Sequence, residues 1–392
     1  MEPNLSAVPA SPARRSIALL YCMSFLQGMC FYGPVATLYR TEVGVTMGQI
    51  SLIEAVTYLL VVMLEVPLGA VCARIGYRRM LMASSALFFI SKIVFWQAYT
   101  FGAFLAERVI LAFVLAGLSG CDDAYLYLCA GRAGAQRVLG LYGAAGTAGL
   151  LAASALFSLF LADDYRLAAL WTVATYGLAA LLACFLAPVP AGEEDAASLR
   201  AQLAGIVRNL RANPRFAGVL SADALLSITG QTVTVFLSQL LYVRLGLPAA
   251  VLGVLYIGMT LAGLCGAWSH RLCRALGRAF GPTLCLVGAA GCLAAGFSPW
   301  PALCVAGVFT LQIVWRLWQP YAARLKNDNV TDAGGARSVV LSGYSMAVNL
   351  GSSALGLVLG GLADAHLTAA LALAAALCLA AAGLLRLFGP RA

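Results

Sequence analysis

The sequence predicts an all-α membrane protein with twelve transmembrane helices in two pseudo-symmetric six-helix bundles. Composition sets the class: of 392 residues, 62% are hydrophobic and 10% charged, with 40 Gly, against about 45–50% apolar and 25% charged in soluble domains. A spanning helix takes about 20 apolar residues, so twelve use roughly 240 and leave roughly 150 for loops, ends and one longer connector. Charge sets the topology, because short cytoplasmic loops collect Lys and Arg. With the amino end inside, Arg40, Arg166 and Arg244 fall outside, Lys92, Arg108 and Arg316 fall within helices, and the other nineteen of 25 basic residues lie on the inner side. The formal charge of +9 is therefore a topology signal and not a nucleic-acid patch.

The tail 1–16 is polar and Pro-rich and ends in Arg14 and Arg15. The apolar run 17–39 is longer than the roughly 7 to 15 residues of a signal-peptide core, so it is the first spanning helix, closed outside by Arg40. The runs 50–73, 80–99 and 103–129 follow, the first two joined through the inner Arg74, Arg78 and Arg79. Arg132 and Arg137 precede 138–161, and Arg166 precedes 167–187. After a connector the pattern resumes at 216–242, 249–272, 279–297, 301–323, 337–362 and 367–388, with Arg271, Arg274, Arg278, Arg324 and Lys326 on the inner side. The expected organisation is a cytoplasmic tail (1–16), a first bundle (17–187), a cytoplasmic connector (188–215), a second bundle (216–388) and a short tail (389–392). The twelve cysteines lie singly along apolar segments without a CxxC pair, as reduced packing residues do.

The two halves repeat one another. Gly69, Ala70 and Arg74 recur as Gly266, Ala267 and Arg271 at an offset of 197; Arg137 and Gly143 recur as Arg337 and Gly343 at 200; Leu161-Ala162-Asp163 recurs as Leu362-Ala363-Asp364 at 201. Near-equal offsets indicate six helices used twice. In the connector, Glu193, Glu194 and Asp195 precede Leu199, Leu203, Ile206, Val207 and Leu210, which recur at helical spacing. That is the pattern of an amphipathic helix lying on the inner membrane surface.

The stretch Gly69-Ala-Val-Cys-Ala-Arg74-Ile-Gly76-Tyr-Arg78-Arg79 is similar to GxxxDRxGRR, the inner-loop motif of the major facilitator superfamily, which the chain resembles over essentially its whole length. Glu65-Val66-Pro67, Arg108, Ser119-Gly120-Cys121-Asp122-Asp123-Ala124 and Arg337-Ser-Val-Val-Leu-Ser add to the likeness. Ala73 stands where the motif has Asp, which weakens the charge pairing that the resemblance implies for latching the halves in the outward-open state. Gly140, Gly143, Gly146 and Gly149 are similar to the family's antiporter motif but lack its Gly-Pro step. The resemblance implies a monomeric secondary transporter whose central cavity is lined by the first, fourth, seventh and tenth helices. It also implies a gating role for Gly69, Arg74, Gly76, Arg78 and Arg79 and a proton-coupling role for Arg108. Glycines in the fifth and eleventh segments, the latter at Gly351, Gly356, Gly360 and Gly361, let helix backbones approach and slide, or simply pack.

Submerged charges are sharper clues, since each costs at least a few kcal/mol and marks a pathway or a partner. At about 1.5 Å per residue, Asp122, Asp123, Asp223 and Arg316 lie about 6 to 10 Å to the inner side of their helix centres. The expectation is that Asp122 or Asp123 pairs with Arg316 across the cavity in one state and separates in another; a static pair or a charge at the inner mouth are the alternatives. Glu54 lies about 10 Å to the outer side of its helix, and apolar surroundings favour the neutral form of a carboxylate. The proton-coupling candidates are thus Glu54, Arg108, Asp122, Asp123 and Asp223; a gate or an interhelical hydrogen bond is the alternative for Glu54, and an outer-boundary charge beside Glu107 the alternative for Arg108. Substrate-binding candidates are Gln27, Phe31, Tyr32, Asp122, Asp123, Tyr125, Gln231, Thr234, Gln312, Trp315, Arg316 and Trp318. Trp315 and Trp318, three apart, offer either an aromatic wall to a cationic molecule or ordinary packing. Lys92 is a snorkelling charge without assigned function.

Residue counts remove several enzyme classes. The only lysines, Lys92 and Lys326, precede Ile93 and Asn327, so no GxxxxGK[ST] phosphate loop exists, and two distant histidines make no metal site. The expected activity is secondary active transport by alternating access, as proton-coupled efflux of small amphiphilic or cationic compounds. Proton-coupled uptake of a polar metabolite is the alternative, and a non-transporting sensor or lipid-handling protein is a third reading. The expected setting is a bacterial cytoplasmic membrane with both termini inside. Lipid bilayer, a small-molecule substrate and protons are the expected partners, with no cofactor and no nucleic acid.

Overall fold

The computed structural model describes residues 10–189, 207–208, 210–211, 213–329 and 337–389. Every regular element among them is helical, as a lipid-embedded backbone requires when it must satisfy its own polar groups. The elements are α1 (Ala10–Gly28), α2 (Ala36–Glu42), α3 (Met47–Ile75), α4 (Tyr77–Gln97), α5 (Phe101–Leu118), α6 (Cys121–Leu156), α7 (Tyr165–Ala183), α8 (Pro214–Gln231), α9 (Ser238–Arg244), α10 (Ala249–Ala262), α11 (Ser269–Leu276), α12 (Phe280–Phe297), α13 (Pro301–Asp328), α14 (Arg337–Ala365) and α15 (Leu367–Phe388). The amphipathic helix expected at 199–210 lies outside the described residues apart from Val207, Arg208 and Leu210.

Eleven helical runs among the described residues are long and apolar enough to cross a membrane. The difference from twelve arises at 249–297, a single run of 49 residues. That is about twice the length one crossing takes, and Gly277, with φ +53°, interrupts it. The fourth segment, expected unbroken from 103 to 129, is interrupted at Gly120 (φ +73°), and α6 kinks at Gly131 (φ +67°). Only glycine adopts this left-handed conformation without strain.

The helices group into two compact units. One takes its residues from 1–39, 59–196 and 249–254, the other from 40–58, 197–248 and 255–392. The sequence divides at the connector, whereas these units also exchange one short segment each. Local packing explains the exchange. In the second unit Asp364 accepts hydrogen bonds from the backbone N–H groups of Met47 (2.5 Å) and Gly48 (2.8 Å), capping the amino end of α3, and Gly360 leaves room for Ser51. In the first unit Gly253 lies against Ser154, Phe157 and Ser158.

Within the first unit α1 and α6 meet backbone to backbone. A Cβ on Gly28 would collide with the carbonyl of Gly146, and one on Gly149 with the carbonyl of Phe25. In the second unit Gly291 and Gly307 bring α12 and α13 together in the same way. The repeat offset reappears in backbone conformation: Gly44 and Gly246 have φ of +85° and +74°, and Gly76 and Gly277 have φ of +86° and +53°. These pairs lie 202 and 201 positions apart, beside the 197 to 201 read from residue types.

Candidate functional site

In the first unit, α1 ends at Gly28 and the chain stays irregular until the 3-10 turn Gly33–Val35. The break turns Phe31 and Tyr32 inward, leaving them 2% and 6% exposed. The Tyr32 ring stacks on Phe95 at 4.0 Å, and its hydroxyl accepts a hydrogen bond from Lys92 Nζ at 3.1 Å. Lys92 Nζ is also 3.7 Å from Glu107 Oε1, while Arg108 Nε is 3.4 Å from Glu107 Oε2. Two cations therefore share one carboxylate. Lys92 rests over the rings of Phe88 and Tyr176, 5.1 and 5.3 Å from their centroids, a favourable place for a desolvated ammonium. The structure thus corrects the reading of Lys92 as a snorkelling charge: its side chain is 7% exposed and that of Glu107 1%. A spacing signal was present, because Lys92 and Glu107 stand nearly equidistant from the turn at 98–100 that joins α4 to α5.

The other first-unit candidates have structural partners of their own. The Gln27 carbonyl accepts from the Tyr176 hydroxyl, Phe31 N–H donates to Thr172 Oγ1 at 3.0 Å, and the buried Tyr125 donates to the Ala187 carbonyl at 2.7 Å. Asp122 is half-buried and accepts from the Tyr142 hydroxyl at 3.1 Å and from Asp123 N–H at 3.0 Å. Asp123 itself is exposed. In the inner-loop motif, Gly69 lies within α3, Gly76 supplies the positive φ between α3 and α4, and Arg78 Nη2 donates to the Cys184 carbonyl at 3.2 Å. Arg74 and Arg79 are exposed.

In the second unit, α8 passes at Gln231 into a π-helical turn, Thr232–Leu237, before α9 begins. Single π turns inside α-helices are frequent at functional sites. Gln231 Nε2 donates to the Tyr58 hydroxyl at 2.6 Å. Around this bond Ser51, Glu54, Thr232 and Ser353, with Ala55, Ile228, Phe236 and Gly356, line a small, largely apolar recess with room for roughly one ordered water. Thr234 is turned away, bonding back to the Gly230 carbonyl at 2.7 Å. Asp223, 4% exposed, accepts from Trp318 Nε1 at 2.7 Å and Ser227 Oγ at 3.3 Å and lies 3.1 Å from Lys326 Nζ. Gln312 donates to the Met259 carbonyl at 3.2 Å.

Trp315 and Trp318 occupy different surroundings. Trp318 is fully buried against Tyr321, whereas Trp315 covers Gly230, where a Cβ would meet its indole at 2.5 Å. Arg316 lies 5.1 Å from the Trp315 ring and alongside Gly263. Its buried Nε has no hydrogen-bond partner among the described residues. Tyr58 is a residue that sequence reasoning passed over, as it did the pairing of Lys92 with Glu107. Tyr58 carries no charge or motif, and its partner Gln231 is 173 positions away.

The family model described as the Major Facilitator Superfamily matches residues 17–336. The chain belongs to that superfamily. This facilitator is a multi-pass membrane transporter and not an enzyme. No curated protein sequence matches it. Among solved structures, a variant of the nucleoside transporter NupG is similar with a TM-score of 0.78 at 17% identity, over 95% of this chain and 100% of that one. A D-xylose-proton symporter gives 0.68 at 15% identity, over 96% and 98%. The human organic anion transporter MFSD10 gives 0.61 at 16% identity, over 95% and 99%. At these identities the likeness is one of fold.

Proposed function

We propose that this facilitator is a proton-coupled symporter for a polar, hydroxyl-bearing metabolite, the class that includes nucleosides and simple sugars. The observation that supports this is the recess of Ser51, Glu54, Tyr58, Gln231, Thr232 and Ser353. Its polar groups, four hydroxyls, one amide and one carboxyl set among Ala55, Ile228, Phe236 and Gly356, match a ligand that presents hydroxyls to an apolar-backed wall. With room for about one water, the recess admits the whole ligand only in a state in which it has opened. The nucleoside and sugar transporters among its structural neighbours fit the same reading. Glu54 is the proton carrier in this scheme, Gln231 and Tyr58 orient the ligand, and Asp223 and Arg108 serve their own units.

Proteoliposomes holding the purified protein under an imposed proton gradient test it. A nucleoside or monosaccharide is expected to accumulate with the proton flux. Glu54→Gln is expected to abolish gradient-driven accumulation while substrate exchange across the membrane persists. Accumulation by Glu54→Gln equal to wild type would sink the assignment. The second reading, efflux of amphiphilic cations, draws support from exposed Asp123 and from the Trp315 ring. It predicts movement of a lipophilic cation against the proton flux in the same vesicles.

A further inference from the structure

A cavity of about 440 Å³ opens in the second unit beside the amino end of α12. Two guanidinium side chains, Arg278 and Arg386, line it together with the hydroxyl-bearing Thr283 and Tyr321, and among the described residues no carboxylate lines it. Tyr321 is held edge-on by Phe280, with ring centroids 5.0 Å apart, so its ring is fixed where it lines the cavity. The first turn of α12, with Gly281 and Pro282, and the last turn of α15, with Leu385, Arg386 and Leu387, both line it, so helix ends of opposite dipole sign meet there and the positive charge is that of the two guanidinium groups. Two guanidinium groups and two hydroxyl donors on one cavity suit the oxygens of a phosphate group.

The surroundings select the source of that phosphate. Leu387, on the cavity wall, is 71% exposed, and Leu276 and Phe388 nearby in the chain are 42% and 38% exposed. A ligand seated by its phosphate would therefore lay apolar chains along an apolar surface. We propose that this cavity is a binding site for the headgroup of an anionic phospholipid, separate from the transport recess. Arg271 and Arg274 in α11, a few residues before Arg278 in the chain, are also exposed. Juxtamembrane basic pockets of this kind hold acidic lipid headgroups elsewhere.

The test uses the full-length protein in nanodiscs of equal parts phosphatidylglycerol and phosphatidylcholine, released and weighed by native mass spectrometry. Wild type is expected to retain phosphatidylglycerol selectively, and Arg278→Gln with Arg386→Gln is expected to cut that retention about tenfold, the loss of charge-assisted hydrogen bonds. Should the double variant not fold, Arg278→Lys with Arg386→Lys keeps the charge and loses the fork, with weaker retention expected. A thermal-shift series separates the sources: phosphatidylglycerol is expected to raise Tm in wild type, and inorganic phosphate to leave it unmoved. Equal phosphatidylglycerol retention by wild type and the Gln variant would overturn the site. A Tm rise with inorganic phosphate as large as that with lipid would overturn the lipid as its occupant.

Discussion

Glu107 faces two cations inside the first unit, and its removal is expected to be worse than the removal of either of them. Breaking a buried ion pair costs about 3–5 kcal/mol because the remaining charge is left uncompensated. Glu107→Gln would strand Lys92 with Arg108, whereas Lys92→Met leaves Arg108 as the counter-ion. Thermal denaturation of the purified variants should rank Glu107→Gln as the less stable, and equal losses would show that the carboxylate is not shared. Trp318→Phe tests the second cluster. It takes one donor from buried Asp223 and should cost about 1–3 kcal/mol while leaving the Lys326 contact in place. At this scale the sequence was legible for charge and opaque for partnership. Asp223 and Arg108 stood out as submerged charges, but nothing in the chain joins Asp223 to an indole 95 positions away.

Among elements, glycine spacing in α6 and α14 was visible in the sequence, yet only some positions bear on packing. Gly28 and Gly149 stand where α1 and α6 touch, while Gly140 and Gly143 face open space. Gly149→Ala is accordingly expected to lower Tm. Gly140→Ala should leave it unchanged or raise it, since Ala is about 1 kcal/mol the better helix former. Thermal shift on the two variants decides, and a loss at Gly140 as large as at Gly149 would contradict the packing account. The α3 cap offers another comparison: Asp364→Ala removes a carboxylate from two backbone donors and should cost about 0.5–2 kcal/mol. The interruption at Gly120 and the kink at Gly131 were hidden, because a hydropathy window averages over one residue while a positive φ depends on it alone.

For the whole molecule, alternation of apolar runs with arginine-rich turns is a property that needs no tertiary contact to read. It follows from the solvent, since lipid fixes helix length and the inner side of the membrane collects positive charge. Reporter fusions check the orientation expected from it. A reporter joined after Arg79 should be active in the cytoplasm, and one joined after Tyr99 only on the opposite side. The recess around Glu54 and Gln231 was less accessible to sequence reasoning. Glu54 and Gln231 were candidates on separate segments, but their convergence depends on where 40–58 packs, and a pattern along the chain carries no such information.

The π turn at Thr232–Leu237 acts as a spacer in the thread of its helix. It holds one residue more than an α-turn of the same rise. Winding these residues as even α-helix, with none removed, would swing everything downstream about 100° around the axis. Tyr242, whose hydroxyl reaches the Met259 sulfur at 3.7 Å, would leave its partner, while Gln231, upstream, would keep Tyr58. The surplus residue thus sets the angular phase between the stretch that carries Gln231 and the stretch that carries Tyr242.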